Sequence, residues 1–353
     1  MNSIDQKIGV LLVNLGTPDS PRTADVRKYL IEFLTDERVI DIPWLFRQLL
    51  VRGLIGPFRA GSSAKSYKEI WDDEKGSPLM YHSEGLAKKV QITLDEKNKD
   101  TAKTYCVELA MRYQSPSIEG ALNRLRDKGV NHYIVLPLFP QYASATTGSI
   151  HQKVMEIVKQ WQSIPSMHFI DSYYDNTDFI AAFTEIGQQY QPENYEHILF
   201  SFHGLPKRQL RKADRCNHCL QTDDCCAQIT AKNQFCYSAQ CTATAHALAK
   251  SLQIPTDKYS ICYQSRLGND PWVEPYTSDV LENLAKEKGI KKVLVFCPAF
   301  VADCIETIFE IGVEYQEEFE YFGGEKVQFV ESLNEHPLWV QAVVNLIEEK
   351  VIV

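Results

Sequence analysis

The chain has no uninterrupted apolar run approaching the roughly 20 residues of a bilayer-crossing helix, which excludes a membrane-spanning helix. Positive charge is in deficit too: 37 Lys and Arg stand against 46 Asp and Glu, for a net charge of −9. Recognition of nucleic acid rests on basic surface against phosphate, so a general nucleic-acid binder is a poor fit and no nucleic-acid partner is expected. The first residues, MNSIDQKIGVLLVNLG, have neither the apolar core and small-residue cleavage site of a secretory signal nor the Arg/Ser bias of a transit peptide. They run straight into a strand pattern, and the protein is expected to work in the cytoplasm. No short-period repeat is present, and 17 Gly and 16 Pro are ordinary numbers, which sets aside fibrous and disordered classes.

What is present is a globular chain of 353 residues with 44% hydrophobic content. That length exceeds one core of ordinary size and predicts two domains. Apolar runs rich in β-branched residues recur at Ile8–Leu15, Tyr133–Phe139, His168–Ser172, Ile198–His203, Tyr259–Gln264 and Val293–Phe300. Their continuity, with little polar alternation, is that of strands buried on both faces of a parallel sheet. Helical patterns at Ile118–Lys128, Thr242–Leu252 and Tyr276–Lys288 lie between them, so the expected class is a doubly wound α/β fold. The polar stretch QYQPENY at Gln189–Tyr195 separates two strand–helix series. The expected division is residues 1–165, residues 166–330, and a final segment, residues 331–353, whose helix packs back on the first domain. One larger domain with a continuous sheet is the alternative.

Ligands of open α/β sheets bind beyond the carboxyl ends of the strands. The segments there are Asn14–Pro18, Pro137–Ser149, His203–Pro206, Gln264–Gly268 and Cys297–Cys304. His203, in SFHGLP, ends a strand where a neutral imidazole can take a proton or bind a metal. A histidine satisfied within a structural turn is the plainer reading. Asp303, Glu306, Glu310 and Glu314 are spaced by three, four and four residues, which stacks them on one face of a helix. Such like charges repel, so either water or a cation must offset them. Carboxylate and imidazole together suit the transient handling of Fe²⁺ and the acceptance of protons.

Residues 43–60, PWLFRQLLVRGLIGPFRA, read either as a core helix or as the apolar lip of a pocket. In the second case Arg47, Arg52 and Arg59 suit anionic lipid or ligand carboxylates, and the lip makes a peripheral membrane contact. The chain has ten cysteines, and Cys216, Cys219, Cys225, Cys226 and Cys236 crowd into residues 216–236. Cytosolic thiols stay reduced, so this cluster reads as a metal site, either zinc on four thiolates or a [2Fe–2S] cluster.

The motifs LLVNLGTPDSP, MRYQSPSIEGAL, LPLFPQYASATTGS, SFHGLP, YQSRLGNDPWVEPYT, CPAFVADCIETIFEI and ESLNEHP occur in this order. Together they resemble the ferrochelatase family over nearly the whole chain. The resemblance implies two Rossmann-like domains and insertion of Fe²⁺, as substrate, into protoporphyrin IX to form protohaem, the last step of haem biosynthesis. It implies that His203 and Glu306 are the catalytic pair facing the substrate iron, with Asp303 and Glu310 on the path for metal or protons. Leu15, Phe33, Leu34, Ser265 and Trp272 match porphyrin-contacting positions, and residues 43–60 match the lip. Some relatives carry a [2Fe–2S] cluster, and the ligands implied here are Cys216, Cys219, Cys225 and Cys226, with Cys236 as an alternate. At Tyr67–Ile70 (YKEI) some relatives have arginine instead. A coproporphyrin ferrochelatase is the nearest alternative; an iron–sulphur redox or sensor protein and a tetrapyrrole carrier on the same scaffold are the others. Monomer and dimer both fit the sequence.

Overall fold

The computed structural model describes residues 6–266, 268 and 270–351. Leu267 and Asn269, within the QSRLGND motif, lie outside the described residues. The chain divides into two units, one of Met1–Phe139, Ser144–Asp171 and Asn334–Val353, the other of Pro140–Ala143 and Ser172–Leu333.

The first unit holds strands β1 (Gln6–Asn14), β2 (Lys103–Met111), β3 (His132–Pro137) and β4 (Ser166–Phe169). All are parallel, in the spatial order β2-β1-β3-β4. Leu11, Val13, Tyr133 and Val135 pack against Leu122, Leu125, Ile150 and Val154 of the flanking helices. The last helix, Pro337–Glu348, also belongs to this unit and packs on Pro78–Asn98, where Asn98 donates to Glu348. The second unit repeats the plan with β5 (His197–His203), β6 (Tyr259–Gln264), β7 (Lys292–Phe296) and β8 (Lys326–Phe329), again parallel, in the order β6-β5-β7-β8. Leu199, Cys262, Val293 and Val295 form its core with Leu281, Leu284, Ile311 and Phe319. The doubly wound α/β class read from the sequence is the fold observed.

Strands β2 and β8 were not legible as continuous runs. Lys103, Thr104 and Glu108 in β2 and Lys326 and Gln328 in β8 break the apolar run, at positions that are exposed or half-buried. In each unit the chain reverses direction across the sheet between the first and third strands. That reversal, β5 to β7 in the second unit, is the topological switch point where α/β folds bind ligands.

The acidic segment needs a correction. Ile305–Glu314 is a π-helix, and Asp303 lies before it rather than on it. Cys304 has extended backbone (φ −152°, ψ −172°), which stops the helix from reaching back to Asp303. Its N–H donates to the Thr307 hydroxyl, closing the first turn. Glu306, Glu310 and Glu314 still share a face, because four residues fall just short of one turn of an i→i+5 helix.

Residues 43–60 form a continuous helical segment, with Trp44–Gln48 and Gly56–Ile70 flanking a π-helical stretch at Leu49–Ile55. Trp44, Leu45, Phe46, Leu49, Leu54 and Phe58 are exposed, Phe58 at 76%, whereas Val51 and Ala60 are buried. A core helix would bury those side chains. Arg47 does not stand among them as a free charge: it is 6% exposed, and its guanidinium donates to the carbonyls of Ile40 and Ile42. Among the described residues no helix is long and apolar enough to cross a membrane.

Candidate active site

His203 is the last residue of β5, at the switch point of the second unit. Its Nδ1 lies 2.6 Å from the carbonyl oxygen of Gly204. A carbonyl only accepts, so Nδ1 carries the proton and Nε2 presents a bare lone pair. Tyr237 donates its hydroxyl to the His203 backbone carbonyl at 2.8 Å, which fixes the end of the strand. The rings of Trp272 and Phe300 stand 6.5 and 6.4 Å from the imidazole.

The turn after His203 is closed against residues 271–273: Lys207 donates to the Pro271 carbonyl, Val273 to that of Leu205, and Pro206 bridges Trp272. Gly204 has no room for a side chain. A Cβ there would stand 2.9 Å from the Gln264 carbonyl oxygen and 3.2 Å from the Trp272 ring. Gly204→Ala is therefore expected to destabilise the protein by about 1–3 kcal/mol, as overpacking does, and to lower Tm in a thermal melt by several degrees.

Glu310 points back to the same strand ends. Its Oε1 accepts from the Ser265 N–H at 2.7 Å, and its Oε2 accepts from the Ser265 hydroxyl and from Gln264 Nε2 at 3.1 Å. Ser265 sits at φ +66°, a left-handed conformation that costs a serine energy and aims both of its donors at one carboxylate. Burial raises the Glu310 pKa above the usual carboxylate value; the donors from Ser265 and Gln264 and the nearby His203 oppose that rise, and Glu306 adds to it. Glu310 thus interacts electrostatically with both His203 and Glu306. Glu314 is also raised, by burial first and then by Glu310, Glu318 and Glu317.

Glu306 faces the thiol of Cys304, which burial pushes well up and the carboxylate pushes up further. Asp303 is 7% exposed and is held by other partners: its Oδ1 accepts from the Ser332 N–H at 3.0 Å and the Thr307 hydroxyl at 3.2 Å. Ser265 and Trp272 thus lie beside this group, although the Ser265 hydroxyl is committed to Glu310. In the first unit Leu15 and Phe33 are half-buried, and Phe33 stacks on Tyr29 with centroids 5.9 Å apart. Leu34 is buried at 4% exposure.

Sequence reasoning placed Gln264 in a strand-end segment without giving it a role, and missed Tyr237. Tyr237 lies in a helix and reaches His203 across a chain separation that no local pattern encodes.

The cysteine-rich loop is a second centre. Cys216, Cys219, Cys225, Cys226 and Cys236 all line one cavity of roughly 150 Å³. The Asp214 carboxylate accepts from the N–H groups of Cys216, His218 and Cys219, which curls the C-x-x-C segment around it. Cys225 and Cys226 sulfurs are 3.6 Å apart. A hydrogen bond from Cys226 draws the Cys236 thiol down to about 6, helped by the N–H groups of Ala239 and Ser238 at the start of helix Tyr237–Ser251. The same bond pushes Cys226 up, and burial pushes Cys219 up to about 12. Among the described residues, no three His, Cys, Asp or Glu side chains already converge as a site for a metal ion.

Two solved structures share the fold. SirB from Bacillus subtilis with Fe³⁺ superposes with a TM-score of 0.54 at 13% identity, covering 98% of this chain and 96% of that one. The sirohydrochlorin chelatase SirB from Bacillus subtilis subspecies spizizenii in complex with cobalt gives 0.51 at 13% identity, covering 98% and 95%. The architecture is a chelatase fold. At the level of sequence, the family model for ferrochelatase matches residues 7–351. A ferrochelatase of Legionella pneumophila (strain Paris) is 44% identical over 97% of this chain and 99% of its own length. One of Coxiella burnetii (strain Dugway 5J108-111) is 43% identical over 97% and 93%. The chain belongs to the ferrochelatase family and is an enzyme, a metal chelatase of the lyase class.

Proposed function

We propose that this protein inserts Fe²⁺ into protoporphyrin IX, exchanging the two pyrrole N–H protons for the metal to give protohaem. One observation carries the reading: His203 has its Nδ1 proton spent on Gly204 and its Nε2 lone pair free, beside Glu306 and Glu310 at a switch point. His203 Nε2 takes a pyrrole proton or meets the arriving Fe²⁺. Glu306 completes the pair, with Glu310 and Asp303 passing protons or metal behind it. Leu15 and Phe33 of the first unit and Ser265 and Trp272 of the second are the proposed porphyrin contacts, while buried Leu34 has little surface to offer a ligand. A pocket complementary to a bent macrocycle exposes the nitrogen lone pairs and turns binding energy into distortion. The test is an anaerobic assay of the purified protein with Fe²⁺ and either protoporphyrin IX or coproporphyrin. Haem formed from protoporphyrin at the higher kcat/KM supports the proposal. Preference for coproporphyrin assigns the other substrate, and tight porphyrin binding without metallation assigns a carrier.

The cysteine cavity suits a [2Fe–2S] cluster held by Cys219, Cys225, Cys226 and either Cys216 or Cys236. Cys226 meets both Cys225 and Cys236, and the five cysteines lining the cavity are enough for the four thiolates of a two-iron cluster. When bound, such a cluster supplies one-electron redox chemistry; Asp214 and the amides of Ser238 and Ala239 orient and charge the thiolates around it.

The exposed lip suits a cytoplasmic enzyme that touches a membrane from one side and receives an apolar substrate there. Removing two of its anchors, with Trp44→Glu and Phe58→Glu together, is expected to cut cosedimentation with anionic lipid vesicles about tenfold or more. Unchanged sedimentation removes the lipid role.

A further inference from the structure

Gln264 is the final residue of β6, 2% exposed, and it is the register partner of His203 across the strand pair. Its backbone carbonyl accepts from the Gly204 N–H at 2.8 Å. Its side-chain amide uses its full hydrogen-bonding capacity. Nε2 donates to the Glu306 backbone carbonyl at 2.8 Å and to Glu310 Oε2 at 3.1 Å. Oε1 accepts from the Ser201 hydroxyl at 2.8 Å and faces the Cys297 thiol at 3.7 Å. Ser201 is tied in turn to Thr277 at 3.0 Å.

This pattern fixes which way the amide points. The Glu306 carbonyl and the Glu310 carboxylate are acceptors, so a flipped amide would set its oxygen against both of them. One planar group therefore spans the strand that ends in His203, the first turn of the π-helix that carries Glu306, and the carboxylate of Glu310.

We infer that Gln264 is a positioning residue of the iron-insertion reaction, whose N–H end sets the Glu306 turn and the Glu310 carboxylate at a fixed distance from His203. The inference rests on the roles proposed above for those three residues. Its physical content is an asymmetry: the N–H end serves the reaction, and the oxygen end only anchors the amide to the core. Displacement of reacting groups by about 1 Å can cost on the order of 10²-fold in rate. A residue that merely filled space would be equally sensitive at both ends.

The experiment compares four variants by steady-state haem formation, porphyrin fluorescence titration and thermal melting. Gln264→Met keeps the side-chain length and loses the amide; Gln264→Glu keeps an acceptor toward Ser201 and Cys297 and loses the paired N–H donors. Both are expected to lose about 10²-fold in kcat with KM for porphyrin changed by less than about threefold. Ser201→Ala, which touches only the oxygen end, is expected to stay within about threefold of the parent in kcat. Gln264→Met added to Glu310→Gln is expected to cost less than it does alone, because its target is already gone.

Parent-like kcat in either Gln264 variant that folds overturns the inference, as does a loss in Ser201→Ala equal to that in Gln264→Met. Failure of both Gln264 variants to fold also overturns it, assigning the amide to the core. If the parent itself forms no haem, it is the proposed function that fails; parent-like turnover in Glu310→Gln removes the Glu310 role and leaves the Glu306 turn as the remaining target.

Discussion

Replacing His203 by alanine is expected to leave a folded protein that binds porphyrin and forms haem about 10²–10⁴ times more slowly, the range for a lost proton-transfer group. Among the described residues the imidazole's hydrogen bond is to the carbonyl of the next residue, so its removal breaks no hydrogen bond to a distant element. The strand end keeps its anchor, because Tyr237 grips the backbone carbonyl of residue 203 and not the imidazole. What disappears is the free Nε2 lone pair. Time courses of haem absorbance under anaerobic conditions, with porphyrin fluorescence and a thermal melt as controls, give the answer. Turnover within about threefold of the parent would return His203 to the status of a turn residue.

On the proposed [2Fe–2S] assignment, Cys219→Ser and Cys225→Ser are each expected to abolish visible charge-transfer absorption and bound iron. Both thiols are buried in the cavity wall, at 7% and 8% exposure, so neither can be replaced from solvent. Serine keeps the volume but is a far poorer ligand, and four thiolates are required. Cys106→Ser, whose sulfur belongs to the first unit, should leave the spectrum unchanged. Of Cys216→Ser and Cys236→Ser, one should bleach the protein and the other should not, since only four of the five cysteines lining the cavity are needed. A colourless parent that contains zinc falsifies the cluster assignment in favour of a thiolate zinc site.

Strands were legible where a short, continuous apolar run was bounded by polar residues: β6 was read residue for residue, and β1, β3 and β5 nearly so. His203 was legible for the same reason, as a polar residue ending such a run. The acidic spacing was legible as one face of a helix, but the π register was not, since spacing by four suits both helix types. Strands β2 and β8 fell below the signal because polar residues interrupt them. Arg47 was misread because the sequence displays a charge, whereas the fold supplies two carbonyls that take it inside. Gln264 and Tyr237 act across sheet and helix, and no one-dimensional pattern marks such a residue as anything but a polar interruption.

Cys236 and Tyr237 are neighbours in the chain. One contributes its sulfur to the wall of the cysteine cavity, and the other holds the carbonyl of His203. Helix Tyr237–Ser251 starts between these two attachments, so its first turn works like the short arm of a lever. A change in the spacing of the thiols would therefore reach the His203 carbonyl through a single turn of helix.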